Sequence, residues 1–456
     1  MERSAMGVAT TMTAMEGFRS TSRRFRLSVI VCLVWCGVSN WWGNPAAAQM
    51  DFESAPIRYY ELELDNPISR LQGKLKEGTV KLAYDPEHGY LPAMLEALDV
   101  PVSSQVLVFS KTSFQARLIN RRHPRAVYFN DDVYIGWVQQ GEVVEISVAD
   151  PQQGAVFFAL PQQSTERPAI VRDQGNCTVC HASTRTQGVP GHLIRSVYPD
   201  PSGQPNFGAG TFSIDQRSPF SQRWGGWYVS GTHGRQRHMG NVVVGDREHP
   251  EQMEVNRGAN ITDLSTLFDT DPYLSPHSDI VALLVLEHQV QMHNYITRAN
   301  FETRAAIHHD EIMNRALERP ADYRSESAQR RIAKAAEDLV DYMLFVDEMP
   351  LKDPVAGTST FASDFAARGP ADGQGRSLRQ LDLSTRLMRY PCSYLIYSTA
   401  FDGLPNESRE LVYRGLWEVL HGDNNDSKFS HLSASDRQAI LEILRETKAS
   451  LPEYWK

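Results

Sequence analysis

The chain has 456 residues, of which 41% are hydrophobic and 22% charged, with 30 Gly and 25 Pro. That is ordinary globular composition and excludes collagen-like, coiled-coil and disordered classes. The formal charge is −9, and an acidic surface disfavours non-specific binding to nucleic acid or anionic lipid.

Residues 1–48 read as a cleaved export signal. Arg23, Arg24 and Arg26 form a positive region, and an apolar stretch runs from Leu27 to about Val38. Ala46-Ala47-Ala48 then supplies a small-residue cleavage site before Gln49. The stretch is short for a bilayer span, and no later run is long enough to cross a membrane. The expected location is therefore periplasmic or otherwise exported. Cys32 and Cys36 leave with the signal, so the mature chain keeps Cys177, Cys180 and Cys392. Three cysteines in a chain of this length do not make a disulfide scaffold.

The fold class is expected to be α+β, with a β-rich part over 49–165, a loop-rich segment over 166–260 and a mostly helical region over 261–456. A short helix over Leu91–Leu98 precedes apolar or alternating runs at Val106–Phe109, Arg125–Phe129, Val133–Val138, Val143–Val148 and Ala155–Leu160. Asn130-Asp131-Asp132, Gln140-Gly141 and Asp150-Pro151 punctuate them, as in an antiparallel meander. The loop-rich segment offers short strands at Trp224–Val229 and Asn241–Val244. A stretch this long without regular structure is usually organised by a ligand or carries function. Helical spacing returns from Asp279 to about Arg315 and from Ser325 to Glu348, where Pro350 stops it. Residues 350–376 read as a connector. Helices are then expected at Ser377–Met388, Ser408–His421, closed by Gly422, and Asp436–Thr447, capped by Ser435 with Gln438.

The chemistry centres on Cys177-Thr178-Val179-Cys180-His181. C-x-x-C-H is the c-type haem attachment pattern. Two thiols add across the vinyl groups of a haem, and the next residue offers an imidazole to the iron. Zinc would need two further close ligands, and no second C-x-x-C or paired His motif is present. A thioredoxin-like pair would follow a strand, whereas Asp173-Gln174-Gly175-Asn176 is loop-like. No other C-x-x-C-H occurs, so a single haem is expected.

On these residues the sequence resembles c-type cytochromes. Gly188-Val189-Pro190-Gly191 is similar to the Gly-Pro element that follows the motif in many of them. The resemblance implies Cys177 and Cys180 as thioether anchors, His181 as proximal ligand and the Pro190 carbonyl as the acceptor that orients its imidazole. Phe109-Ser110-Lys111-Thr112-Ser113, Tyr128 to Asp132, Trp224 to Tyr228 and His238 to Asn241 resemble an uncharacterised group of exported bacterial haem c proteins. Met239, 58 residues past His181 in a polar loop, is the favoured sixth ligand, since a thioether raises the reduction potential. His238, His233 and His192, and His288, Met292 and His293 on the long helix, are its rivals, as is an open position.

The expected function is one-electron transfer with an unidentified redox protein partner. The alternatives are a peroxidase-like haem oxidoreductase with an open distal side, using His238 or Glu287 as acid and base, and a haem-based ligand sensor. Size argues for the enzyme, because a carrier needs only about 100 residues around its haem. Glu287, Gln291 and Asn294 are expected to form a hydrogen-bonded interhelix stripe rather than a haem-facing one. Arg195, Arg217 and Arg223 are candidate partners for haem propionates. Arg117, Arg121, Arg122, His123 and Arg125 read as a solvated basic loop, Trp224, Trp227 and Tyr228 as haem wall or core, and Cys392 as a buried free thiol.

Overall fold

A computed structural model describes residues 50–456. The expected signal segment and its cleavage site lie outside them. Two helices come first, α1 (Pro67–Glu77) and α2 (Leu91–Ala97). The strands β1 (Val106–Val108), β2 (Arg125–Phe129), β3 (Val133–Trp137), β4 (Val143–Asp150), β5 (Gly154–Pro161) and β6 (Val171–Arg172) follow. One helical turn, α3 (Thr178–His181), precedes the hairpin β7 (Arg195–Val197) and β8 (Thr211–Ser213), and then β9 (Trp227–Tyr228) and β10 (Gly231–Thr232). The C-terminal half holds α4 (Ile280–Ala316), α5 (Glu326–Met343), β11 (Ala356–Gly357), α6 (Phe361–Ala367), α7 (Thr399–Asp402), α8 (Asn406–His421) and α9 (Ala434–Thr447).

The fold is mixed α+β, as composition and periodicity indicate. Seven antiparallel strands form the main sheet in the order β6-β5-β4-β3-β2-β1-β9, a meander closed at one edge by β9 from the loop-rich segment. Register sorts the side chains onto two faces. Ala126 pairs with Trp137 and Ile135 with Ile146, and their face packs on Ile68, Leu71, Leu91 and Met94 of α1 and α2. Val127 pairs with Gly136, Gly136 with Glu145 and Glu145 with Ala159, on the opposite face. On that face Val106, Val108, Val127, Phe129 and Tyr134 join the core of the helical half. Both faces are buried, so the strands read as nearly continuous apolar runs.

The helix α4 spans 37 residues and runs through this core, buried on almost every side of its first turns. A helix that is apolar all round belongs inside a core rather than on its surface. Asp279 caps it, one carboxylate oxygen accepting from Val281 N at 2.8 Å and the other from Thr358 and Ser359 N at 2.9 and 2.8 Å. Against it pack α5 and then α8 and α9, each burying an aliphatic stripe worth about 1.5–3 kcal/mol per large side chain. Among the described residues no helix is long and apolar enough to cross a membrane.

Several elements differ from expectation. Ser377–Met388 is a series of turns, because the Asp382 carboxylate accepts from Ser384 and Thr385 N and competes with helical pairing. Asn241–Val244 is not a strand. Asn241 takes φ 68°, and its amide, not a ladder, satisfies the Val229 backbone. The last helix is capped by Ser433 with Asp436, not by Ser435 with Gln438. The helix from Ser325 stops at Met343, before Glu348, and the connector contains α6. Gly422 does close α8, at φ 93°.

Candidate haem attachment site

The C-x-x-C-H turn rests on the inner face of the sheet and is shaped by local hydrogen bonds. Asp173 Oδ2 accepts from Gly175 N and Cys177 N at 3.0 and 2.9 Å, which starts the turn. Burial pushes this carboxyl up, but the Cys177 N–H, the Asn176 amide and the Gly175 N–H outweigh it and leave it below its ordinary value. Tyr60 and Thr178 share a hydroxyl hydrogen bond of 2.9 Å that pins the turn to the N-terminal segment. Cys180 N and His181 N both donate to Cys177 O, at 3.2 and 3.0 Å, so the two cysteines and the histidine lie on one helical turn.

Both thiols are free, Cys177 half-buried and Cys180 exposed. Burial, with the Asp173 charge beside it, pushes the Cys177 thiol up to about 12, so it is a protonated thiol at neutral pH. His181 packs its ring 4.9 Å from that of Phe157, and burial lowers its pKa. The ring is therefore neutral, and its Nδ1 hydrogen bonds to the Gly191 carbonyl at 3.0 Å. A carbonyl can only accept, so Nδ1 carries the proton and Nε2 keeps a bare lone pair. This is the tautomer a histidine ligand needs, held by a backbone carbonyl in the manner of metal-binding imidazoles. The acceptor is Gly191, not the expected Pro190, whose carbonyl is taken by Ala155 N at 3.0 Å. The sheet strand β5 thus claims Pro190, and the next carbonyl turns to the imidazole.

Gly191 sits where no side chain fits. A Cβ there would lie 2.3 Å from Asn294 Oδ1 and 2.9 Å from Thr186 Cβ. Asn294 of α4 then clamps the following residue, accepting from His192 N at 2.9 Å and donating to His192 O at 2.8 Å. The expected polar stripe on α4 is real, but it binds the loop segment rather than another helix. Glu287 pairs with Arg223 at 2.7 Å, with both side chains buried. Burial pushes the Glu287 carboxyl up to about 8 against the pull of Arg223.

The named arginines separate. Arg217 lies over the Tyr342 ring and bonds Tyr295 Oη at 3.2 Å, and Arg223 is committed to Glu287, so neither is free for a propionate. Arg195 is half-buried, its guanidinium over the Phe207 ring and donating to Thr211 Oγ1 at 3.3 Å, with no carboxylate partner among the described residues. Sequence reasoning missed Glu145 and placed Arg125 in a solvated loop. The two form an ion pair of 2.6 Å on the inner sheet face, and their charges act on both Cys177 and His181. The available signal was strand alternation, which puts Arg125 in line with buried Val127 and Phe129. Trp224 and Tyr228 are fully buried core residues, and Trp227 is nearly so, donating to Arg195 O at 2.8 Å. Cys392 is buried and free, as expected.

The sixth-ligand candidates also separate. His233 Nε2 accepts from Asn260 N and His238 Nδ1 from Gly240 N, both at 3.0 Å. Burial keeps both rings neutral, so their other nitrogens carry protons and offer no lone pair. They pack with Trp224 and Phe220 in a nest of their own. His288 has both nitrogens committed, to Gln216 Oε1 and Ser393 Oγ. His192 follows the very residue that holds His181 Nδ1. Its ring packs against that of Tyr134 at 4.2 Å and lies 6.0 Å from that of His293. Met292 is fully buried in the helical core. Met239 is buried with Val242, Val244 and Met253, and its sulfur accepts from Ser196 Oγ at 3.8 Å. Ser196 neighbours Arg195, but the structure does not bring the thioether into contact with His181.

The donor set fits a haem c: two free thiols and a lone-pair imidazole on one turn, with a guanidinium at Arg195 and no competing disulfide. Comparison with known proteins adds nothing to this geometry, since no family model, curated protein or solved structure matches the chain.

Proposed function

We propose that the chain is an exported c-type cytochrome protein with one covalently attached haem, working in one-electron transfer. The observation that carries this is the tautomer of His181. Its Nδ1 proton is held by Gly191 O at 3.0 Å, which leaves Nε2 bare beside two free cysteines. A zinc half-site is disfavoured, because no group of three or more His, Cys, Asp or Glu side chains fit to hold a metal occurs among the described residues.

Cys177 and Cys180 would anchor the group and His181 would be its proximal ligand. Haem supplies an Fe(III)/Fe(II) couple. The chain fixes the imidazole through Gly191 and α4, and Arg195 is the guanidinium best placed for a propionate. Met239 would be the second protein ligand, because its sulfur meets only a weak donor, Ser196 Oγ at 3.8 Å.

The test is haem retention. After acid–acetone extraction of the purified protein, haem should stay with the chain, and Cys177→Ala with Cys180→Ala should yield apoprotein. Full haem occupancy in the double variant would overturn the proposal. So would wild-type protein, from a host competent for haem attachment, that carries none.

A further inference from the structure

Two more histidines, His192 and His293, lie buried with ring nitrogens that have no hydrogen-bond partner among the described residues. His293 is 2% exposed, and its Nε2 pairs with the Asp131 carbonyl at 2.7 Å. Nε2 therefore carries the proton, and Nδ1 is a buried lone pair with no partner. His192 is 5% exposed, and neither ring nitrogen has a partner. Buried polar atoms in native proteins are nearly always paired, so two unpartnered lone pairs, one on each ring, call for an occupant, while the second His192 nitrogen keeps its proton.

The site is built rather than accidental. Consecutive residues of α4 hold both parts of His192: Asn294 grips its backbone, and His293 faces its ring at a centroid separation of 6.0 Å. The Tyr134 ring covers the His192 imidazole at 4.2 Å. His293 has the tautomer of a metal ligand, its N–H tied to a main-chain carbonyl. Burial keeps both rings uncharged at neutral pH.

The spacing selects the ion. Two nitrogen–metal bonds of about 2.0 Å, with rings of about 1.15 Å radius built on bonds of about 1.33 Å, put collinear imidazole centroids about 6.3 Å apart. The observed separation of 6.0 Å, with the rings tilted by 56°, is close to that span. Zinc needs four ligands and calcium or magnesium need oxygen, and among the described residues no third His, Cys, Asp or Glu joins the pair. An ion content with two imidazoles must be soft, closed-shell and linear.

We propose that His192 and His293 bind a single two-coordinate Cu(I) ion. The site is made of side chains that the haem assignment does not use, so it stands or falls separately.

The experiment is anaerobic titration of haem-loaded protein with Cu(I) buffered by a chromogenic chelator, with copper and haem quantified together. Wild type is expected to bind one Cu(I) per chain, and copper-edge X-ray absorption is expected to report two nitrogen neighbours in a linear arrangement. His293→Phe and His192→Phe should each weaken binding by about 100-fold or more with haem content unchanged. Cys392→Ser and Met239→Leu should bind as wild type does. The absorption spectrum of wild type decides the case if either Phe variant fails to fold. Failure of wild type to compete with the chelator, meaning that the nitrogens are satisfied by water alone, overturns the proposal. Binding that survives both Phe variants, or that disappears with Cys392 or Met239, also overturns it.

Discussion

Asn294 is the residue through which α4 governs the attachment site, and replacing it by the near-isosteric leucine isolates what its amide contributes. The amide accepts from His192 N at 2.9 Å and donates to His192 O at 2.8 Å. Leucine fills the same volume but leaves both main-chain groups buried without partners. Each such group costs about 1–3 kcal/mol, so Asn294→Leu should destabilise by about 4 kcal/mol, within a range of about 2–6. That is a large part of the roughly 5–15 kcal/mol that keeps a domain folded. Urea unfolding of haem-loaded protein, followed by far-ultraviolet circular dichroism, should show a lower midpoint at unchanged slope. The Gly191 carbonyl precedes the clamped residue, so the His181 Nδ1 proton should also exchange faster with solvent. A loss below about 1 kcal/mol, for two groups each costed at 1–3, would refute the idea that the clamp holds this segment.

Two further outcomes are expected. Burial holds His288 down to about 3 in the folded chain, whereas an unfolded histidine titrates near 6.5. Its contribution to stability is therefore complete above about pH 6.5 and is lost as pH falls toward 3, at up to about 1.4 kcal/mol per pH unit. His288→Gln should flatten the fall in urea midpoint between pH 6.5 and 4, and an unchanged slope would contradict the burial argument. Met239→Leu should cost less than about 1.5 kcal/mol as a packing change, while abolishing the near-infrared thioether–iron band and lowering the potential. No such band in wild type, with equal potentials in both proteins, would reduce Met239 to a loop residue.

Most of the scaffold could be read in the sequence. The meander strands from Val106 to Leu160 and the helices beginning near Asp279 and Ser408 declare themselves by alternation, helical spacing and caps. What escaped depended on competition that periodicity does not measure. The leucines of Ser377–Met388 suggest a helix, yet Asp382 turns the backbone instead. Helix α1 went unread although Asn66-Pro67 and Gly78 mark its ends with a cap, a first-turn proline and a left-handed glycine. The site follows the same pattern. Cys177, Cys180 and His181 are evident from spacing alone, because the chemistry demands it. The acceptor for His181 was misassigned by one residue, since only the sheet reveals that Ala155 occupies the Pro190 carbonyl. Arg125 and Glu145 meet through strand register, and Asn294 and His293 reach the loop from sequence positions 102 and 162 residues away from their partners.

Those separations bear on the order in which the chain assembles. Emerging N-terminus first, the strands β1 to β6 can pair before their inner face has a cover or their open edge has β9. The C-x-x-C-H turn emerges next, but its clamp lies in α4 and arrives roughly a hundred residues later. Until then Tyr60, Asp173 and Ala155 can hold the turn and its flank, but the His192 backbone lacks its clamp. Closing contacts over such distances is slow, because chain entropy must be lost before the contacts form. The long helix thus closes last over the segment that carries the His181 acceptor.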